Sequence, residues 1–182
     1  MWEPSSVRGT QLDVAISLGN VAGIRWAQKS PETVSLYERS LTIRQALADS
    51  DPQDVFARSR VAFAHEQLAR LLLQQRILSR ALQHARRAID LYESVKGNRV
   101  SDFEIGQALL TVGAIQHELG QTAEACANYE RSFAHFKEVP IEDLAARGIR
   151  SITDVASRAA RCGTKAAEEW LAREGRATSV RP

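Results

Sequence analysis

The stretch from Gly106 to Pro140 constrains the fold of this chain most, because its apolar residues recur at intervals of three and four on either side of one glycine, Gly120. That spacing places apolar side chains along one face of an α-helix. The positions are Ala108, Val112, Ile115 and Leu119 before the glycine, and Ala125, Tyr129, Phe133 and Phe136 after it. Since glycine readily ends a helix, the stretch predicts two amphipathic helices folded back on each other as an antiparallel hairpin.

Two further hairpins precede this one. Helical stripes predict hairpins over about residues 7–50 and 53–97, and the third spans about 101–138. Pro52 ends the first, because the residue before a proline is disfavoured in a helix, and Gly97-Asn98 ends the second. No segment alternates convincingly with a period of two, so no strand is predicted. The chain is therefore predicted to be all-α.

Equivalent positions of the three hairpins carry small residues. On the first helices the pairs are Leu18-Gly19, Leu68-Ala69 and Val112-Gly113. On the second helices Tyr37, Ala85 and Tyr129 are each followed three positions later by a small residue, at Ser40, Ala88 and Ser132. Because side chains of one helix pack into the grooves of its neighbour, small residues at these places allow close approach.

This pattern resembles the tetratricopeptide repeat (TPR). The signature positions in the third hairpin are occupied by Leu109, Val112, Gly113, Gln116, Gly120, Ala125, Tyr129 and Ser132. Leu109 and Gln116 depart from the family's Trp and Tyr, and Lys137 stands where its closing Pro is expected. The resemblance covers roughly residues 10–140 and implies a right-handed solenoid of three TPR-like hairpins. The spacing between equivalent positions exceeds the usual period of about 34 residues, which resembles the long-helix bacterial arrays found in C-terminal regions of some Ser/Thr kinases.

The remaining residues predict a cap and a tail. Pro140 and the acidic residues after it favour a new helix, and the segment 141–174 is predicted to be a set of capping helices, because repeat stacks must cover the apolar face of their last repeat. Residues 1–174 are then predicted to form a single domain, and residues 175–182 a disordered tail.

Charge and cysteine content narrow the function classes. The net charge is +2, with acidic and basic residues interleaved along the chain. Cys126 and Cys162 lie far apart in sequence without a CxxC companion, so neither a disulfide nor a zinc site is predicted. A reducing compartment follows as the simplest setting. No signal peptide or membrane span is recognisable, and the protein is expected to be cytoplasmic with no membrane partner.

No catalytic or metal-binding motif is recognised. The histidines are scattered at His65, His84, His117 and His135, and neither His65-Glu66 nor His117-Glu118 continues as HExxH. Glycine-rich nucleotide-binding loops and nucleophile elbows are also missing from the sequence. We therefore expect no enzyme activity, no cofactor and no metal.

The TPR resemblance implies a binding surface, because the first helices of such stacks line a concave groove. The residues carried over for partner binding are Ile16, Asn20, Phe63, Glu66, Arg70, Leu73, Gln107, Leu110, Ala114 and His117. Two alternatives stay open. Glu66 and Arg70 are spaced to neutralise each other, and Phe63, Leu73 and Leu110 are also suited to packing against neighbouring structure rather than a ligand.

A basic stripe runs along the outer helix of the second hairpin, through Arg76, Arg80, His84 and Arg87. Acidic residues follow within helical reach, at Asp90 and Glu93. A solvated convex face explains such a stripe better than a phosphate-binding surface, and no nucleic-acid partner is expected.

Two functions remain. The preferred hypothesis is a non-catalytic scaffold or adaptor that binds a partner peptide in its concave groove. The alternative is a regulatory or sensor segment of a larger signalling protein, such as a kinase or transcription regulator, with its effector domain elsewhere, because the array starts at Met1 without a recognisable N-terminal cap. Self-association through the first hairpin is a third possibility. The partner's identity does not follow from the sequence.

Overall fold

The structure, a computed structural model, describes residues 4–95, 97, 102–137, 139 and 150–179. The chain divides into two compact units, Met1–Val100 (unit 1) and Ser101–Pro182 (unit 2). Eight helices and no strands lie within the described residues. The predicted all-α class is confirmed, whereas the prediction of one domain over residues 1–174 remains a prediction. None of the described helices is both long and apolar enough to cross a membrane.

Unit 1 consists of two helical hairpins. The helices are α1 (Pro4–Ala27), α2 (Thr33–Ser50), α3 (Val55–Gln74) and α4 (Leu78–Ser94). Each helix packs against the next one along the chain. Asp54 caps α3 by accepting a hydrogen bond from the Ala57 backbone N–H at 2.9 Å. The first two hairpins therefore lie where the periodicity predicts them.

Unit 2 begins with the third hairpin, formed by α5 (Asp102–Glu118) and α6 (Thr122–Phe136). Gly120 has a φ of +75° in the turn between them, a conformation that glycine adopts without steric strain. The stretch that carries the clearest sequence signal thus folds as predicted.

Two more helices, α7 (Arg150–Arg161) and α8 (Lys165–Ser179), complete unit 2. Helix α7 packs on α6, and α8 packs on α7. A shared core confirms the predicted capping role. It consists of Tyr129, Phe133 and Phe136 from α6 together with Ile152, Val155, Ala156, Ala159 and Ala167 from the last two helices.

One prediction about the C-terminal part of the chain needs correction. The backbone of residues 175–179 continues helix α8, so the disordered tail predicted from residue 175 is wrong for these five residues. The helix predicted to start after Pro140 falls on residues 141–149, which lie outside the described residues, as do residues 180–182.

The small residues of the second helices do more than allow close approach. Ser40 donates a hydrogen bond to the carbonyl of Ala15 at 2.7 Å, and the equivalent Ser132 donates to the carbonyl of Gly106 at 2.6 Å. Both serines are buried, and each hydroxyl is satisfied by a backbone carbonyl of the first helix of its hairpin. The repeat is therefore marked by a polar contact as well as by size.

A disulfide joins Cys126 on α6 to Cys162, the residue after α7. The prediction that these cysteines form no disulfide is wrong. The two residues are 36 positions apart, and only the packing of α7 against α6 brings them together. The expectation of a reducing compartment rested on the absence of a disulfide, and it loses that support.

Candidate functional site

The first helices of unit 1, α1 and α3, carry the predicted binding residues in three different environments. Asn20 and Arg70 are exposed, and Phe63 is 49% exposed. Ile16 and Leu73 are half-buried. Five of the six predicted residues of this unit are thus at least partly accessible to a partner.

Glu66 is the exception. Its side chain is 4% exposed and accepts a hydrogen bond from the hydroxyl of Tyr92 at 3.2 Å. A buried carboxylate needs such donors, because burial without them is costly. Glu66 therefore lies in the seam between α3 and α4 and does not reach the surface on which it was predicted.

Arg70 joins an aromatic cluster where α1 and α3 end. Its guanidinium carbon lies 5.8 Å from the centre of the Trp26 ring, and the indole N–H of Trp26 donates a hydrogen bond to Gln74. Trp26 also meets Tyr37 edge to face, with ring centres 6.3 Å apart. Burial raises the pKa of Tyr37, an effect that the charge of Arg70 partly opposes. These contacts hold the C-terminal ends of α1 and α3 together.

Helix α1 has two apolar faces. Ala15 and Ala22 are fully buried against the rest of unit 1. On other faces of the helix, four large apolar residues are between 42% and 60% exposed: Val7, Val14, Val21 and Ile24. The prediction of α1 rests on the buried stripe alone, although Val7, Val14 and Val21 recur in the sequence at an interval of seven. Exposed apolar side chains grouped in this way are typical of interaction surfaces.

The predicted residues of unit 2 are less accessible. His117 is exposed, whereas Gln107, Leu110 and Ala114 are half-buried. Leu110 packs against the core that α6 shares with the two C-terminal helices. For Leu110 the packing alternative is therefore the better supported of the two.

The basic stripe of the second hairpin does not form a continuous cationic surface. Arg80 donates a hydrogen bond to Glu38 at 2.7 Å. His84 is half-buried and faces His65. Two of its four members are thus engaged within unit 1, which supports the expectation of a solvated face.

His65 and His84, predicted to be scattered, form a pair. Their Nδ1 atoms are 2.9 Å apart, so that one imidazole donates a hydrogen bond to the other. Burial, and then the charges of His84 and Arg87, lower the pKa of His65 to about 4. Burial and Arg80 also lower the pKa of His84, while Glu38 acts in the opposite direction. Among the described residues, no group of three or more His, Cys, Asp or Glu side chains is placed to hold a metal.

The histidine pair predicts a loss of stability in mild acid. Folded His65 stays neutral down to about pH 4, whereas in the unfolded chain it takes up a proton near pH 6.5. The unfolded state then binds more protons, so stability is complete above pH 6.5 and falls as the pH drops towards 4. We expect a loss of about 1–2 kcal/mol, discounted because the imidazole is partly solvated. Urea unfolding at pH 7.5 and pH 5 measures it.

The control for this effect is the exposed His117. His65→Gln should reduce the difference between the two pH values, and His117→Gln should leave it unchanged. An equal dependence in wild type and His65→Gln would show that the pair does not stay neutral in the folded state.

Comparison with known proteins bears on the fold. No protein-family model matches the sequence, and no curated protein matches it. Among solved structures, the N-terminal domain of stress-induced protein-1 (STI-1) from C. elegans is similar, with a TM-score of 0.50 and 14% sequence identity. The similarity covers 80% of this chain and 96% of that chain. It shows a TPR-like helical repeat fold and, at this identity, the fold alone.

Proposed function

We propose that this chain is a protein-interaction module, and that unit 1 binds a segment of a partner protein on the groove face of α1 and α3. The observation that carries the proposal is the exposure of two large apolar side chains on these helices, Ile24 of α1 at 60% and Phe63 of α3 at 49%. Leaving such side chains in water forgoes about 25 cal/mol per Å² of apolar surface. A partner that covers them recovers that free energy.

The polar residues beside this face suit a peptide ligand. Ile24 lies one helical turn from Asn20, and Phe63 lies two turns from Arg70 on α3, so each first helix presents one apolar and one polar side chain together. Asparagine amides can hydrogen-bond a peptide backbone, and arginine can pair with a carboxylate. This combination supports an extended or helical peptide that carries apolar and acidic side chains.

The proposal predicts where a partner can be trapped. A photo-crosslinking amino acid placed at position 24 or 63 should capture discrete partner adducts in cells that produce the protein. The matched control is position 83 on α4, where Gln83 is also exposed. With the crosslinker at position 24 or 63, aspartate at the other of these two positions (Phe63→Asp or Ile24→Asp) should lower capture at least tenfold, because a buried unpaired carboxylate costs several kcal/mol. Gln83→Asp should leave capture intact, and identical adducts from all three positions would contradict the proposal.

Such a module serves equally well as a free adaptor or as the sensor segment of a larger signalling protein, for example a Ser/Thr kinase that carries a C-terminal TPR region. The genomic sequence on either side of the coding segment distinguishes these two settings. A second copy of this chain is one candidate partner, and light scattering over a range of concentrations would identify it by a mass of twice 20.1 kDa.

A further inference from the structure

A second concave feature of unit 1 lies away from the proposed peptide surface. It is a pocket of about 160 Å³ between the N-terminal half of α1, the C-terminal half of α2 and the first turns of α3. Leu12, Leu47 and Phe56 form apolar parts of its wall. A cavity of about 150 Å³ accommodates a molecule as large as benzene, so the pocket has room for a small organic group.

Two arginines line this pocket without a counter-charge. Arg44 is only 7% exposed, and its Nε donates a hydrogen bond to the neutral hydroxyl of Ser40 at 3.2 Å. The guanidinium of Arg60 stacks on the Phe56 ring at 4.1 Å, and its buried Nε has no hydrogen-bond acceptor among the residues that the structure describes. Within the described residues, no carboxylate pairs with either side chain.

The one carboxylate in the pocket wall is already engaged. Asp54 lies 3.6 Å from Arg8 in an ion pair, and it also caps α3 through the Ala57 backbone N–H. Among the described residues the wall thus holds three guanidinium groups and one carboxylate, and none of these residues supplies a counter-charge for Arg44 or Arg60.

Burying a guanidinium without a counter-charge is unfavourable. Burial, together with the nearby positive charge of Arg60, lowers the pKa of Arg44. A buried charge is normally retained only where it is paired. An anion that entered the pocket would supply the missing partner, and a carboxylate matches the planar fork of a guanidinium with two parallel hydrogen bonds.

We infer that this pocket binds a carboxylate carried on a small apolar body, with Arg44 and Arg60 holding the carboxylate and Leu12, Leu47 and Phe56 covering the body. Two sources offer this chemistry, a free small acid and the C-terminal residue of a peptide with an apolar side chain. The inference does not depend on the peptide surface proposed above. The pocket residues of α1 and α3 lie on earlier turns than Asn20, Phe63 and Arg70, and the pocket's other residues lie on α2 or, for Asp54, at the N-cap of α3.

The test uses matched acid and amide probes with the full chain. Benzoate is compared with benzamide, and a short peptide ending in leucine with a free carboxylate is compared with its C-terminal amide. Binding is followed by NMR chemical shifts and by the shift in unfolding temperature. At least one acid should bind tenfold or more tightly than its amide. Preference for benzoate identifies a free acid as the source, and preference for the peptide identifies a chain terminus. Equal binding of acids and amides, or binding of inorganic phosphate alone, would overturn the inference.

Arginine variants separate binding from structure. Arg44→Met and Arg60→Met should each weaken binding of the preferred acid at least tenfold. The control is Arg39, which is exposed on the same helix as Arg44, and Arg39→Met should not change binding. Without ligand, Arg44→Met should unfold at the same temperature as wild type or higher, because replacing an unpaired buried charge by an apolar side chain is neutral or stabilising. If Arg44→Met does not fold, Arg60→Met, whose side chain is less buried, decides the binding result. Undiminished binding by Arg60→Met would contradict the assignment.

Discussion

Replacing Gly113 with alanine is expected to lower the free energy of unfolding of unit 2 by about 1–3 kcal/mol, the usual range for an overpacked core. An added Cβ would lie 2.7 Å from Cε1 and 2.8 Å from Cδ1 of Tyr129, and 3.2 Å from the carbonyl oxygen of Ala125. The ring cannot easily move away, since Tyr129 is buried and its hydroxyl accepts a hydrogen bond from Arg158 at 3.3 Å. Gly113→Val should be more destabilising still. Urea unfolding followed by far-UV circular dichroism measures both.

The matched control is Gly19, which occupies the equivalent position of the first hairpin. There an added Cβ would meet only the Ser40 hydroxyl oxygen at 3.7 Å and Nη2 of Arg44 at 3.8 Å, which are ordinary contacts. Gly19→Ala should therefore raise stability by roughly 0.5–1 kcal/mol, because alanine loses less backbone entropy in a helix than glycine. Opposite signs at two equivalent positions are the expected outcome. If the two substitutions had the same effect, the close approach of Tyr129 to Gly113 would be wrong.

Removing the disulfide is the other change with a large expected effect. The bond between Cys126 and Cys162 closes a long loop, because the two residues are 36 positions apart. By restricting the unfolded chain, a disulfide of this loop length typically stabilises the fold by about 2–4 kcal/mol. We expect Cys126→Ser and Cys162→Ser to lose stability in this range. Urea unfolding of wild type with and without reductant should show the same loss.

The double variant Cys126→Ser, Cys162→Ser is the control for this experiment. Its unfolding midpoint should not respond to reductant, and thiol titration of wild type confirms that reduction is complete. A wild-type midpoint that is unchanged after complete reduction would show that the bond contributes nothing to the stability of unit 2.

These effects fall in unit 2, whereas both proposed binding features lie in unit 1. Unit 2 packs three aromatic side chains of α6 against α7 and α8, and a covalent bond adds to that packing. Unit 1 instead leaves apolar side chains of α1 exposed, and among the described residues the guanidinium groups of Arg44 and Arg60 have no carboxylate partner. We expect binding at these groups, because a ligand that covers exposed apolar side chains or pairs with an unpaired charge gains the most free energy there.

Arg44 illustrates a signal that the sequence contains but that hydrophobic periodicity overlooks. It lies on the same helical face as Tyr37, Ser40 and Ala48, which are all buried in α2. A charged residue within a buried stripe marks either a core ion pair or a ligand site. Hydrophobic periodicity considers only the apolar members of a stripe and gives no weight to an arginine between them.

The sequence by itself determined the helices, the three hairpins, the turn at Gly120 and the capping role of the C-terminal segment. These features depend on neighbours three and four positions apart and on local turn chemistry, which any window of the sequence contains. Only the tertiary structure decided which polar side chains face inward. Glu66 is buried because Tyr92 of the next helix supplies a hydrogen-bond donor, and Cys126 bonds to Cys162 because α7 packs on α6. Such pairings join residues 26 and 36 positions apart, and helical periodicity carries no information at that distance, because it specifies the face of each helix and leaves open which residue of another helix lies against it.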